Sequence, residues 1–270
     1  MIPALLMNLY ITGLNQITDV EIDKINKPDL PIAKGDLSIS TANAVVITSL
    51  LASLGMGMMH PVYGTNGLNF ALWGSFILGT MYSLPPFRLK RFPLLAAFCI
   101  VAVRGTIVNA GFYAHAMAAA FQNPSATVYS SIMTDPKCIL SSLFFGIFGI
   151  VIALMKDVPD VKGDALANIK SFSVRVGQKR IFHNMRRLVS LLFFSYGLGF
   201  VRGCAQAIAG QDYLSSFFRG IIAVFALTFG LSARHNGKNV DAEDSKEVYN
   251  YYMYLWKLFY ASYFALPFAK

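Results

Sequence analysis

The chain has 270 residues, 55% of them hydrophobic and only 14% charged. An ordinary soluble domain carries about a quarter of its residues as charges, and here the charges fall in clusters between long apolar runs, which excludes an ordinary soluble globular fold. The net charge of +9 comes with no interleaved basic and aromatic pattern, so no nucleic-acid partner is expected.

A helix that crosses a bilayer needs roughly 20 mostly apolar residues. Such runs lie at 2–18, 37–59, 66–84, 93–117, 138–156, 188–209, 217–233 and 248–268. They predict an all-α polytopic bundle of eight helices in one domain over 1–270, embedded in the lipid bilayer. The runs lack the strict alternation of a transmembrane β-barrel. The first run has no basic leader and no clear small-residue cleavage site, so it does not read as a signal peptide.

Taken in chain order, the polar interruptions carry the chemistry. The first run breaks into "LNQITDVEIDKINKP", with Asn15, Asp19, Glu21, Asp23 and Lys24 where apolar residues would otherwise continue. Charge at such a boundary is costly and marks a functional position. After the third run comes "RLKR", Arg88 to Arg91, which contains Lys90. Arg104 lies about eleven residues into the fourth run, roughly 16 Å along a helix axis. An ionisable residue at that depth faces a cavity or a partner, and Asn109 follows one and a half turns later. The fifth run ends in "MKDVPDVKGD" at 155–164, with Lys156, Asp157, Asp160 and Asp164, and "KSFSVRVGQKR" at 170–180 supplies Arg175. Cys99, Cys138 and Cys204 are isolated on apolar runs and read as small buried hydrophobes. His60, His115, His183 and His235 are scattered, which argues against a histidine-bound metal.

Counting crossings places both acidic motifs, the "RLKR" loop and 170–180 on one side of the membrane. Seventeen of the 23 Lys and Arg fall on that same side. The positive-inside rule makes it the cytoplasmic face or its organellar equivalent, so the basic balance is a topology signal. Long segments at 24–36, 83–92 and 157–185 on that side suit lids that exclude water.

Asn15, Asp19 and Asp23 are spaced i, i+4, i+8 and drift only about 80° around a helix. Asp157, Asp160 and Asp164, at i, i+3, i+7, share a face if the helix continues through Pro159, which bends or ends it. Two columns of carboxylates on one side repel unless a hard cation joins them. Mg²⁺ takes oxygen ligands and is usually completed by phosphate oxygens, and the basic rim suits a pyrophosphate. The spacing therefore predicts a metal–pyrophosphate site. A transporter is the non-enzyme alternative, but transporters place their sites near the midplane on broken helices.

"NQITDVEID" and "KDVPDVKGD" resemble the two motifs of the UbiA superfamily of intramembrane aromatic prenyltransferases. "NKPDLPIAKGDLS", "YSLPPFRLKRF", "IVAVRGTIVN", "SFSVRVGQKR" and "WKLFYASY" resemble its homogentisate prenyltransferase branch, and "SFSVRVGQKR" with "YMYLWKLFYASY" is most like the phytyltransferases. The resemblance implies a nine-helix fold with a cavity open to lipid, of which this chain offers eight helices, the first being absent. It implies Mg²⁺-dependent transfer of a phytyl group from prenyl pyrophosphate to the ring of homogentisate, with decarboxylation, in tocopherol synthesis in a plastid membrane. Solanesyl transfer, or another phenolic acceptor, is the alternative. By this reading Asn15, Asp19 and Asp23 hold one Mg²⁺, and Asp157, Asp160 and Asp164 a second. Lys24, Lys156, Arg175, Arg88, Lys90 and Arg91 meet the pyrophosphate, and Arg104 the homogentisate carboxylate. Tyr10, Tyr82 and Phe112 are candidates to shield an allylic cation. Neither the donor's chain length nor the oligomeric state follows from sequence.

Overall fold

The computed structural model describes residues 1–59, 64–123, 125–166 and 171–268; His60, Lys170 and Lys270 lie outside them. Among the described residues the regular structure is helical, and eight long helices occupy the eight predicted runs. They are α1 (Ile2–Thr18), α4 (Ile39–Met58), α5 (Asn66–Ser83), the continuous rod of α6 (Pro93–Val101), a π-helical segment (Ala102–Ile107) and α7 (Val108–Ala119), then α9 (Pro136–Lys156), α12 (Gln178–Ala209), α13 (Tyr213–Asn236) and α14 (Ser245–Ser262). Short helices fill the connections: α2 (Val20–Asn26), α3 (Pro31–Lys34), α8 (Val128–Thr134), α10 (Val161–Leu166) and α11 (Phe172–Val176). The long segments predicted as lids are thus partly helical. Five rods are long and apolar enough to cross a membrane, namely Ile39–Met58, Pro93–Ala119, Pro136–Lys156, Gln178–Ala209 and Tyr213–Asn236. This is a polytopic membrane protein.

Local sequence sets the helix starts. Proline opens α1, α3 and α6, where its missing N–H costs nothing. Ser38, Thr65, Asp212 and Asp244 each accept an orphan backbone N–H at the first turn of α4, α5, α13 and α14. Where the predicted runs began late, as at 188, the helix extends into polar residues, because a helix needs apolar surface only inside the bilayer.

The chain forms two compact units, residues 1–142 with 162–171, and residues 143–161 with 172–270. In the first, α1 packs on α4 and α5, and α5 on α7. The core is Met7, Tyr10, Leu14, Val46, Leu68 and Leu72. Small residues bring the backbones together, as they must where lipid is as apolar as leucine. A Cβ on Gly67 would lie 2.5 Å from Gly111 O and 2.5 Å from His115 N. In the second unit α12 and α13 pair along their length. Phe145, Phe148, Phe182, Phe193 and Phe259 are fully buried, and Phe148 sits edge-on to Phe193 and Phe259 at 5.5 Å and 5.2 Å.

Gly67→Ala should therefore lower the thermal midpoint in detergent by several degrees, since overpacking against backbone costs about 1–3 kcal/mol. Gly55, with nothing within 4 Å of its would-be Cβ, provides the control: Gly55→Ala should leave the midpoint unchanged or raise it.

Candidate active site

In the first unit an ion-pair cluster forms at the end of α1. The helix closes at Thr18, Asp19 takes φ −116° and ψ 13°, and α2 resumes at Val20. Across the break Asp19 N donates to Gln16 O at 3.3 Å, one residue short of the α-helical partner, and beyond it Asp23 N donates to Asp19 O at 2.8 Å and Lys27 N to Asp23 O at 2.7 Å. Asp19 and Asp23 thus lie one turn apart, and Asp23 is buried.

The segment after α5 returns to them. It passes through a cis Pro85–Pro86 bond and places Arg88 in the left-handed region at φ 36°, a conformation that a residue with a side chain adopts at a cost. Arg88 Nη2 then reaches Asp19 Oδ1 at 3.1 Å and Thr18 O at 3.3 Å. Lys90 Nζ donates to Asp19 Oδ2 at 2.6 Å, Asn15 Oδ1 at 3.1 Å and Thr18 Oγ1 at 3.2 Å. Ser83 Oγ donates to the same Asn15 oxygen at 3.3 Å. The Lys90 side chain is only 8% exposed and that of Asp19 13%, so the attraction acts with little screening by water.

Three oxygens from one helix face thus converge on a single positive charge. That donor set, a carboxylate, a carboxamide and a hydroxyl, is the hard-oxygen chemistry that Mg²⁺ selects, and the residues present fit such an ion. No grouping of three or more His, Cys, Asp or Glu forms a closed metal cage among the described residues.

The second acidic motif does not continue as a helix. α9 ends at Lys156, residues 157–160 form a turn, and α10 starts at Val161. The expected single face for Asp157, Asp160 and Asp164 is therefore not formed, because Pro159 lacks the N–H that would continue the ladder. Asp157 and Asp160 belong to the second unit, Asp164 to the first; Asp160 and Asp164 are buried and Asp157 half-buried. Within the first unit, Gly163 N donates to Asn26 Oδ1 at 3.0 Å, and a Cβ on Gly163 would sit 2.3 Å from that oxygen. The glycine lets the "KGD" end of the second motif lie directly on the last turn of α2, two turns beyond Asp19.

The remaining candidates separate. Lys24 is exposed and turned to Glu21 at 2.7 Å, a surface pair that contributes little. Arg91 is exposed beside the cluster, Arg175 is exposed on α11, and Lys156 is half-buried as the last residue of α9. Arg104 lies in the π-helical segment, half-buried. The Asn109 amide donates to the Arg104 and Gly105 carbonyls of its own helix. Those are carbonyls that a π turn leaves short of ordinary partners, and such turns recur at functional sites. Tyr10 is tied to Thr80 Oγ1 at 2.7 Å and packs in the core, and Phe112 packs against that core. Tyr82 is half-buried on α5. Sequence reading missed Thr18 and Ser83. Thr18 was reachable, since it lies i+3 from Asn15, whereas Ser83 enters only through packing.

The UbiA prenyltransferase family profile matches residues 1–258, and the chain belongs to that family. It is 41% identical to homogentisate phytyltransferase 1, chloroplastic, of Arabidopsis thaliana, an alignment covering 100% of this chain and 64% of the relative. It is 39% identical to a homogentisate geranylgeranyltransferase of Triticum aestivum, over 99% of this chain and 61% of the relative. It is 34% identical to homogentisate phytyltransferase of Synechocystis sp., over 98% and 79%. The chain thus spans somewhat under two thirds of the plant relatives' length. The solved structure of a UbiA homolog from Archaeoglobus fulgidus bound to GPP and Mg²⁺ has the same fold, with TM-score 0.58, 18% identity, 98% of this chain and 88% of that one.

Removing the Asp19 charge should release the 88–91 segment, since a buried cation that loses its partner costs about 3–5 kcal/mol. In Asp19→Asn, trypsin should cut at Arg88, Lys90 or Arg91 at least several-fold faster than in the parent protein, with cleavage at exposed Lys34 unchanged.

Proposed function

We propose that this chain is a single prenyltransferase domain that moves a prenyl group, phytyl foremost, from its pyrophosphate to the aromatic ring of homogentisate. The observation that carries this is the cradle of Asn15, Thr18 and Asp19 around the Lys90 ammonium, with Arg88 alongside. It offers oxygens for a cation and cations for a polyphosphate within one cluster. The names and near-complete alignments of the relatives supply the substrate class, and their chloroplast designations support a plastid membrane. The charge pattern supports a site on the positive-inside face.

In this reading the C–O bond of the allylic pyrophosphate breaks and pyrophosphate leaves, a ring carbon of homogentisate forms the new C–C bond and gives up its proton, and the acetate side chain loses carbon dioxide and takes up a proton to become a methyl group. Asn15 and Asp19, with Asp23 behind them, would hold one Mg²⁺. By the resemblance of their motif, Asp157, Asp160 and Asp164 would hold a second Mg²⁺. Bound Mg²⁺ would neutralise charge on the departing pyrophosphate. Lys90 and Arg88, which pair with Asp19, are the cations that would bind the pyrophosphate. Arg91 extends that basic rim, and Lys156 and Arg175 are assigned to the pyrophosphate by the resemblance of their segments alone. Arg104 is assigned to the homogentisate carboxylate.

Geranylgeranyl is the second reading for the donor, favoured by the geranylgeranyltransferases of Triticum aestivum and Hordeum vulgare at 39% and 38% identity.

Incubation of the membrane-embedded protein with homogentisate and either phytyl, geranylgeranyl or solanesyl pyrophosphate should yield a prenylated, decarboxylated quinol by mass spectrometry, with phytyl preferred and none formed without Mg²⁺. Asp19→Ala and Asp157→Ala should each lower turnover at least 100-fold while the thermal midpoint shows a folded protein; full activity in both would overturn the metal assignment. Lys90→Gln should raise KM for the prenyl pyrophosphate about tenfold or more and leave KM for homogentisate unchanged.

A further inference from the structure

In the second unit the first turns of α12 and the last turns of α13 enclose an open cavity of 630 Å³. Arg186, Arg234, His235 and Lys238 line one end of it, Thr228 and Leu231 the other, and no carboxylate lines it. Arg186 is preset: its Nη1 donates to Gly237 O at 2.6 Å. A Cβ on Gly237 would come within 2.6 Å of Arg186 Cδ and 2.9 Å of Tyr251 Cζ, so glycine is what lets the guanidinium stem lie there. Arg186 Nε is buried without a hydrogen-bond partner in the protein.

The apolar end does not stop at the cavity. Val224, Thr228 and Leu231 are spaced i, i+4, i+7 on α13 and share one face, and Val224 and Leu231 are 65% and 60% exposed. From Val224 to Arg234 this strip runs about 15 Å along the helix. A basic end joined to an apolar strip of that length matches a molecule with an anionic head and a hydrocarbon tail. Basic pockets between transmembrane helices bind the head groups of anionic lipids. A free phosphate shares the head-group chemistry but leaves the strip unused.

We propose that this cavity binds one anionic glycerophospholipid, its phosphate against Arg186, Arg234 and Lys238 and an acyl chain along Val224, Thr228 and Leu231. None of the residues assigned above to prenyl transfer lines the cavity, so the proposal stands apart from that reading.

The test is native mass spectrometry of the detergent-solubilised protein, together with its thermal midpoint, in the presence of phosphatidylglycerol, phosphatidylcholine or inorganic phosphate. Phosphatidylglycerol should stay bound about tenfold better than phosphatidylcholine and raise the midpoint, and inorganic phosphate should neither displace it nor raise the midpoint equally. The double variant Arg234→Gln/Lys238→Gln, at exposed positions where folding is not at stake, should lower phosphatidylglycerol retention about tenfold. The charge-matched control Arg180→Gln/Arg187→Gln, on the same α12 but outside the cavity, should not. Equal retention in the cavity variant, equal loss in the control, or equal protection by inorganic phosphate would each overturn the proposal.

Discussion

A charge taken out of water has to be met by opposite charge and hydrogen bonds, or it does not stay charged. At the end of α1 that constraint organises everything nearby. Asp19 is nearly buried, so it requires the cations of the 88–91 segment. Those cations reach it only because the chain doubles back after α5 and because Arg88 accepts a left-handed backbone. Asn15 and Thr18 are drawn in because Lys90 has more than one proton to place. The result is a cluster in which the cations that would meet a pyrophosphate already lie on the oxygens that would hold a metal ion.

The same economy of space explains the glycines. Gly67 and Gly111 bring α5 and α7 to backbone contact, which fixes the platform from which the Pro85–Pro86 segment departs. Gly163 sets the "KGD" turn against Asn26, at the end of α2. In a bilayer, where hydrophobicity does not distinguish helix from lipid, such close approaches are a principal source of packing specificity.

The two units handle polarity differently. In the first, an ion-pair cluster of Asp19, Arg88 and Lys90 forms at the end of α1. The second has a core rich in phenylalanine rings, with a basic cavity lined by Arg186. A strongly apolar core and a basic margin are what a lipid-facing body requires. The margin also concentrates cations where anionic lipid head groups would be found.

Sequence alone determined the class of protein and the eight long helices, because apolar run length is a local property that the bilayer and the α-helix enforce. It also marked Arg88 and Lys90 as cations near the site. It could not reveal that these two would pair with Asp19 while Lys24 turned away to Glu21, since loop direction depends on packing around α5. Nor could it show that Pro159 would break the second column into a turn rather than merely bend it. Thr18 was legible in principle from its phase with Asn15, but a hydroxyl on an apolar helix carries no signal until a partner is known. Tertiary structure decided which charges meet, because ion pairing in a low-dielectric site is set by which backbone segments converge, and convergence here rests on a handful of glycines and one left-handed arginine far apart in the chain.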